Sequence, residues 1–191
     1  MKIIVECVGK SYGGRPVLRE LSFQADESRA TCFVAPSGGG KTTLFRILMG
    51  LESPDAGRVS APPDCRWAAV FQEDRLLLGR DARYNLRFAL GKAYDEAQAS
   101  ELLETLGLGG VGKKPVRDYS GGMRRRLALA RALLAPSDAL ILDEPFAGID
   151  AEMKGRCLEA AARYSAGKIA LLATHTLSDA DALNAHCVYL A

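Results

Sequence analysis

The sequence predicts an α/β fold in which strands alternate with helices around a parallel sheet. Two compact apolar runs, residues 139–142 and 169–173, have the continuous hydrophobicity of strands that are buried on both faces. A helical pattern at residues 151–166 separates these two runs. The 19 glycines collect in short clusters between patterned segments, where they mark turns. Strand, helix and strand in this order indicate a parallel sheet with crossover helices.

The other predicted elements continue this alternation along the chain. Residues 18–25 and 30–35 contain short apolar stretches that favour strands, and residues 41–50 have a helical pattern that ends at Gly50. Residues 75–116 are mostly helical and predict a subdomain inserted into the sheet core. The later elements are a strand at 67–71, helices at 81–90, 95–106 and 120–134, and a terminal strand at 187–190.

Composition excludes several classes of protein. The chain has 191 residues, of which 48% are hydrophobic and 25% charged, so it is neither disordered nor fibrous. Its 25 basic and 23 acidic residues leave a net charge of +2, which provides no general attraction to nucleic acid or anionic lipid. No apolar run approaches the roughly 18 residues that a membrane helix needs. We therefore expect a cytoplasmic chain that reaches the membrane only through a protein partner.

The five cysteines are widely spaced and include no Cys-x-x-Cys pair. This spacing predicts neither a disulfide framework nor a zinc site. We expect reduced and mostly buried thiols.

A phosphate-binding loop follows the strand that ends near Val34. Residues 35–43, Ala-Pro-Ser-Gly-Gly-Gly-Lys-Thr-Thr, match the pattern G-x-x-x-x-G-K-[ST] except at its first glycine, where Ala35 stands. Adjacent glycines let backbone N–H groups converge on phosphate oxygens, and the helix that begins near Lys41 adds its positive end. We expect Lys41 to reach the β- and γ-phosphates and the Thr42 hydroxyl to bind Mg²⁺. The Ala35 side chain fits such a loop if its φ is negative.

Two carboxylates, Asp143 and Glu144, follow the buried strand at 139–142. Two acids at a strand end can form a solvated turn, but the phosphate loop in the same chain favours a catalytic interpretation. Asp143 is then expected to hold Mg²⁺ through water, and Glu144 to orient the attacking water at the γ-phosphate. In an open parallel sheet, ligands bind at the carboxyl ends of strands, where His175 is expected as well.

A second anion-binding element begins at Ser120. Ser120, Gly121 and Gly122 precede a helix that carries three arginines at residues 124–126, and the N–H groups at its start can bind phosphate. One nucleotide does not need two phosphate cradles, so the second one suits a nucleotide held by another copy of the chain. The three arginines are expected to form a solvated or intersubunit face rather than a nucleic-acid site.

Together these motifs resemble the ATP-binding subunit of an ABC transporter, and the resemblance covers nearly the whole chain in the family's order. Residues 35–43 are similar to the Walker A motif and 140–145 to Walker B. Residues 120–123 are similar to the family signature, with Met123 in place of the usual Gln. The other matching positions are Tyr12 for the aromatic that stacks on adenine, Gln72 for the Q-loop glutamine, residues 147–150 for the D-loop with Ile149 in place of Leu, and His175 for the switch histidine.

The resemblance implies a P-loop NTPase sheet core with an N-terminal β subdomain and, at residues 75–135, a helical subdomain that carries the signature, all within one domain of residues 1–191. It also implies hydrolysis of ATP with Mg²⁺ by a head-to-tail homodimer or pseudo-dimer. The expected catalytic residues are Lys41, Gln72, Glu144 and His175, and the expected metal ligands are Thr42, Gln72 and Asp143. The expected nucleotide-binding residues are Tyr12, Ser37, Gly38, Gly39, Gly40, Lys41, Thr42, Thr43, Gln72, Asp143 and Asp150, with Ser120, Gly121 and Gly122 contributed across the dimer.

The resemblance further implies membrane-spanning permease subunits as partners, which would contact the Gln72 loop and the helical segment after it. The expected location is therefore the cytoplasmic face of the cell membrane. Residues 71–77 are similar to the branch that serves importers of nitrate, sulfonates and taurine, so a solute-binding protein is a further expected component. No role is predicted for His186 in the terminal strand.

Other functions remain open at the level of the sequence. The same ATPase could drive an exporter or the release of lipoproteins. Soluble ABC-type ATPases of DNA repair or translation share the Ser-Gly-Gly signature, but they usually carry a long coiled coil or a tandem second cassette, and neither fits into 191 residues. A P-loop small-molecule kinase is disfavoured by the signature and by Glu144.

Overall fold

The computed structural model describes residues 1–36 and 38–190. It divides the chain into two compact units, of which the first comprises Met1–Trp67, Ser137–Asp143 and Gly167–Ala191 and the second Ala68–Pro136 and Glu144–Ala166. The strands are β1 (Lys2–Tyr12), β2 (Arg15–Asp26), β3 (Thr31–Val34), β4 (Ala56–Ser60), β5 (Trp67–Val70), β6 (Ala139–Asp143), β7 (Ile169–Ala173) and β8 (His186–Tyr189). The α-helices are α1 (Lys41–Leu48), α2 (Ala82–Leu90), α3 (Glu96–Thr105), α4 (Gly121–Leu134), α5 (Ala151–Ser165) and α6 (Leu177–Ala182).

The parallel sheet of the first unit has the strand order β6-β7-β3-β8. Every residue of β6 and β7 is buried, as their continuous apolar runs predict. Phe33 of β3 contacts Phe23 and Phe45 edge-on, with ring centroids 4.9 and 5.7 Å apart. Because neighbouring strands run in the same direction, the residues at the carboxyl ends of β3, β6 and β7 share one edge of the sheet. The predicted parallel sheet is confirmed.

An antiparallel sheet in the order β2-β1-β4 also belongs to the first unit. Ile3 and Val5 of β1 are buried with one residue between them, but the next buried residue is Val8. The register against β2 shifts between Val5 and Val8, where Cys7 has a φ of +49°. Such a bulge moves the inward-facing set of side chains by one residue. The interrupted alternation explains why the sequence pattern did not predict β1.

The second unit is mainly helical, with α4 packed against α2, α3 and α5. Each of these helices begins after a side chain that accepts a backbone N–H bond of the first turn, an arrangement that contributes about 1 kcal/mol per helix. The capping bonds run from Tyr84 N to Asp81, Gln98 N to Asp95, Met123 N to Ser120 and Met153 N to Asp150, at 2.8, 2.8, 3.2 and 3.0 Å.

Some predictions from the sequence differ from the structure. The strands β1 and β4 and the helix α6 were not predicted. The helical unit begins at Ala68 and includes residues 144–166, outside the predicted insertion at 75–135, and the assignment of the whole chain to one domain stays a prediction.

The expectation of mostly buried thiols is wrong. Cys32 and Cys157 are buried, whereas Cys65 and Cys187 are half-buried and Cys7 is exposed. Cys7 lies at the bulge of β1 and Cys187 on the last strand of the sheet order, where less structure covers a side chain. Burial and the neighbouring Cys187 thiol raise the pKa of Cys32 to about 12.

Among residues 1–36 and 38–190, no helix combines the length and the hydrophobicity needed to cross a membrane.

Gly57 in β4 provides a test of the antiparallel sheet. A Cβ atom at Gly57 would lie 2.3 Å from the carbonyl oxygens of Glu6 and Cys7, and its φ is +77°. Gly57→Ala should lower the free energy of unfolding by roughly 2 kcal/mol or more, because backbone atoms cannot move aside. Gly9→Ala is the matched control, since its Cβ would make an ordinary 3.6 Å contact with Ala56 Cβ. Urea unfolding curves that shift equally for both variants would contradict this packing.

Candidate functional site

The loop after β3 holds Lys41 against its own backbone. Lys41 is the buried first residue of α1, and its Nζ donates to the carbonyl oxygens of Ala35 at 2.7 Å and Pro36 at 3.2 Å. Ser37, a predicted nucleotide-binding residue, lies outside the described residues. The loop thus places a cation beside the N-terminus of a helix, which suits a polyphosphate ligand.

The glycines of this loop are needed for different reasons. Gly38 and Gly40 have φ values of +78° and +83°, in the left-handed region that glycine favours. A Cβ at Gly39 would lie 2.7 Å from the Cβ of Ala35. Ala35 itself has no positive φ, so its side chain causes no backbone strain at the position where the pattern has glycine. The fit of the Ala35 side chain to the loop required that its φ not be positive, and the structure meets this condition.

Thr42 and Asp143 bring a hydroxyl and a carboxylate together. Thr42 Oγ1 donates to Asp143 Oδ2 at 2.6 Å, and Asp143 is the fully buried last residue of β6. Mg²⁺ takes oxygen ligands and is usually bound by one or two protein groups together with substrate phosphates and water. The donor atoms of this pair therefore fit Mg²⁺.

Tyr12 ends β1, and 45% of its surface is exposed. Its hydroxyl donates to the carboxylate of Glu52, and Lys10 Nζ lies 5.6 Å from the ring centroid. The pKa of the Tyr12 hydroxyl is raised, mainly by its hydrogen bond to Glu52 and to a smaller extent by partial burial. A hydrogen bond with the Thr43 side chain opposes this rise. An aromatic ring held at its hydroxyl and partly exposed can stack on a nucleotide base.

His175 lies beyond the carboxyl end of β7 and is exposed. The preceding Thr174 is buried; its hydroxyl donates to Asp179 Oδ2 at 3.2 Å and accepts a bond from Thr176 N at 3.1 Å. These bonds fix the turn on both sides of His175. The sequence did not single out Thr174 or Asp179 for this positioning role.

In the second unit, Ser120 and Asp150 both cap helices. Ser120 caps α4, so Gly121 and Gly122 form its first turn, and Asp150 caps α5. A Cβ at Gly122 would lie 3.1 Å from the carbonyl oxygen of Gly148, whereas one at Gly121 would meet no atom within 4 Å. The predicted signature and D-loop therefore pack closely on each other within this unit.

Glu144 and Gln72 also lie in the second unit. Glu144 is half-buried, and its φ of +48° places a non-glycine residue in the left-handed region, at a cost of roughly 1 kcal/mol or more. Gln72 is exposed and follows β5. The first unit contains the remaining described candidates, namely Tyr12, Gly38, Gly39, Gly40, Lys41, Thr42, Thr43, Asp143 and His175.

Comparison with known proteins assigns these motifs to a family. A model of the ABC transporter family matches residues 18–147, which include the phosphate loop, the signature and both carboxylates. The chain belongs to the ABC transporter family. The predicted family, the α/β P-loop NTPase fold class and the predicted activity, ATP hydrolysis coupled to transport, are confirmed.

Curated relatives of this ABC ATPase include import proteins. An aliphatic sulfonates import ATP-binding protein of Burkholderia cenocepacia is 36% identical, over 95% of this chain and 71% of the relative. A protein of the same name from Rhodococcus jostii is 37% identical, over 93% of this chain and 74% of its own. A taurine import ATP-binding protein of Pseudomonas aeruginosa is 37% identical, over 87% and 68% of the two chains. These names agree with the predicted sulfonate and taurine branch.

A solved structure of a bacterial Atm1-family ABC exporter with ATP bound has the same fold. The TM-score is 0.84 at 22% identity, over all of this chain and 37% of the exporter chain. At this identity the likeness concerns the fold alone.

The expectation that residues 124–126 form a solvated or intersubunit face of this ABC ATPase is wrong for Arg125. Arg125 is only 5% exposed, and its guanidinium bonds to groups of its own unit, including the carbonyl oxygens of Phe71 and Glu144. The signal in the sequence was its spacing, because Arg125 lies three and four residues before Ala128 and Leu129 on the buried side of α4.

The two positive-φ glycines of the phosphate loop give a matched test of its packing. A Cβ at Gly40 would lie 2.8 Å from Val17 O and 2.7 Å from Leu18 Cδ2, whereas one at Gly38 would meet nothing within 4 Å. Gly38→Ala and Gly40→Ala both introduce backbone strain, but only Gly40→Ala adds a collision with backbone. Gly40→Ala should therefore be more destabilising by about 1–2 kcal/mol, measured by urea unfolding. Equal losses, or a larger loss for Gly38→Ala, would contradict this geometry.

Proposed function

We propose that this chain is an importer ATPase that binds MgATP through the phosphate loop, Tyr12, Thr42 and Asp143. The observation that carries the proposal is the 2.6 Å bond between the Thr42 hydroxyl and the buried Asp143 carboxylate. This bond brings two oxygen ligands of the kind that Mg²⁺ takes together, and one of them belongs to the residue that follows Lys41. Mg²⁺, when bound, neutralises charge on the phosphates. When the nucleotide binds, Lys41 exchanges a loop carbonyl for a phosphate oxygen, and the N–H groups of residues 38–43 bind further phosphate oxygens.

The hydrolytic role is assigned to Glu144, which holds the attacking water and accepts its proton. His175 and Lys41 stabilise negative charge in the transition state, and the Gln72 side chain would be a further ligand of a bound Mg²⁺. Tyr12 stacks on the adenine ring. Phosphoryl transfer needs positioning and charge neutralisation more than covalent chemistry, and these are the contributions assigned to these side chains.

The proposed working form is a head-to-tail homodimer or pseudo-dimer. Because Ser120 Oγ accepts the bond from Met123 N, its hydroxyl hydrogen is available to a phosphate oxygen. Gly121 and Gly122 add N–H groups at the positive end of α4. We assign this cradle to the nucleotide of the opposing chain, since the phosphate loop already binds the chain's own nucleotide.

Membrane-spanning permease subunits are the proposed partners, and they would hold the chain at the cytoplasmic face of the membrane. Support comes from large apolar side chains exposed near one another in sequence in the second unit, with Phe88 of α2 69% exposed. The others are Leu77, Leu78 and Tyr84. The names of the relatives favour an aliphatic sulfonate or taurine as solute. A solute-binding protein is a further proposed component of the system. Uptake assays with permease-containing liposomes should show ATP-dependent transport of a sulfonate and not of a matched carboxylate.

Glu144→Gln separates nucleotide binding from turnover. It should keep ATP affinity within a few-fold and lower kcat by orders of magnitude, because it removes an interaction made in the transition state. Lys41→Ala should instead weaken binding of MgATP, because a charge-assisted contact to phosphate is lost. Equilibrium nucleotide binding and phosphate release measure the two effects. Near-normal phosphate release by Glu144→Gln, or unchanged MgATP affinity in Lys41→Ala, would overturn the corresponding assignment.

The dimer should form only with nucleotide. In light scattering, Glu144→Gln should be a dimer with MgATP and a monomer without it. Adding Ser120→Arg should abolish the dimer by placing bulk and positive charge in the cradle, while ATP binding by the monomer persists. Adding Asp95→Ala, which removes the cap of α3 instead, controls for loss of a helix cap and should leave the dimer intact. A persistent dimer with Ser120→Arg would refute the role of Ser120 across the interface.

A further inference from the structure

Arg125 is a buried cation whose hydrogen bonds join two segments of the second unit. Its Nε and Nη2 donate to the carbonyl oxygen of Glu144, at 3.1 and 2.5 Å. Its Nη1 donates to the carbonyl oxygen of Phe71 at 2.5 Å and to Asp74 Oδ1 at 3.2 Å. A buried guanidinium is retained only where such acceptors surround it, so its position and theirs depend on one another.

The bonds to Glu144 act on a residue with an unusual backbone. Its φ of +48° is disfavoured for a residue with a Cβ, and such conformations persist only where surrounding contacts enforce them. Two of the Arg125 N–H groups bind the carbonyl of this same residue. Since φ and ψ set the direction in which a side chain leaves the backbone, the guanidinium helps to fix where the Glu144 carboxylate lies.

A second arginine of α4 provides a natural comparison. Arg131 donates to the carbonyl oxygens of Asp74 at 2.8 Å and Arg75 at 2.6 Å. It therefore holds the same loop, residues 71–75, as Arg125 does. Within the part of the chain that the structure describes, the hydrogen bonds of Arg131 go to this loop and not to Glu144.

We propose that Arg125 is a positioning residue for ATP hydrolysis, which holds the main chain of Glu144 in its left-handed conformation and joins it to the loop that carries Gln72. The proposal rests on the hydrolytic role proposed for Glu144. Arg125 does not contact the nucleotide in this scheme, and it acts through the Glu144 backbone. A movement of loop 71–75 would accordingly reach Glu144 through one side chain.

The test compares Arg125→Gln with Arg131→Gln. Both variants lose an arginine of α4 that holds loop 71–75, but only Arg125→Gln loses the bonds to Glu144. Arg125→Gln should lower kcat at least tenfold with MgATP affinity within about threefold of wild type, the split expected for loss of transition-state positioning. Arg131→Gln, which loosens loop 71–75 but leaves the bonds to Glu144, should lower kcat by at least threefold less than Arg125→Gln does. Equal losses of kcat in the two variants, or normal kcat in Arg125→Gln, would overturn the proposal.

A double variant separates this proposal from the function on which it rests. If Arg125 acts through Glu144, adding Arg125→Gln to Glu144→Gln should not lower the residual hydrolysis further. A further tenfold loss would show an independent role and overturn the proposal. Normal hydrolysis by Glu144→Gln alone would instead overturn the proposed function. Should Arg125→Gln fail to fold, Arg125→Lys supplies the same readings. The guanidinium reaches Glu144 O from Nε and Nη2 and Phe71 O and Asp74 Oδ1 from Nη1, whereas the donors of an ammonium all leave one nitrogen and cannot reproduce this set of four bonds. A normal kcat in that variant would count against the proposal.

Discussion

The parallel hydrogen bonding of β6, β7 and β3 places the candidate site residues at the carboxyl ends of these strands along one edge of the sheet. Parallel strands bring their carboxyl ends to one edge, and each of these three strands delivers polar residues there. The phosphate loop follows β3, Asp143 ends β6, and the turn with His175 follows β7. The bond between Thr42 and Asp143 is possible because distant parts of the sequence end at the same edge. The buried apolar residues of β6 and β7 hold these strands parallel, and the strand direction in turn places these candidate site residues at the same edge.

Much of this arrangement could be predicted from the sequence, because it depends on local and periodic signals. The strand at residues 169–173 was predicted with its exact bounds, since full burial demands an unbroken apolar run. The phosphate loop could also be predicted, since binding of phosphate restricts the residue types over the nine residues 35–43. Strand β1 escaped prediction because the bulge at Cys7 breaks the alternation that identifies a half-buried strand. Prediction of a strand from alternating residues requires an uninterrupted register, and no local pattern in the sequence indicates the shift between Val5 and Val8.

Arg125 shows a different limit of prediction. A run of three arginines predicts a solvated face because isolated charge is costly to bury. The acceptors that make burial of Arg125 possible are backbone carbonyls of residues 71 and 144, whose positions no side-chain pattern encodes. Its neighbour Arg126 likewise donates to the carbonyl oxygen of Leu106, at 2.5 Å. The carbonyl groups of loops therefore determine which cations of a helix face inward.

The bonds of Lys41 to the carbonyls of Ala35 and Pro36 have a consequence for the energetics of ligand recognition. The ammonium group is already removed from bulk water and bonded within the loop. In the proposed binding mode, association with phosphate substitutes an anionic acceptor for a neutral one, rather than stripping hydration from a mobile cation. The bonds to the carbonyl oxygens already have an ionised donor, and a phosphate oxygen adds a negatively charged acceptor, so the exchange is favourable for a polyphosphate and not for an uncharged ligand of similar shape. The proposed binding mode therefore favours anionic ligands because Lys41 is already held in the loop before a ligand binds.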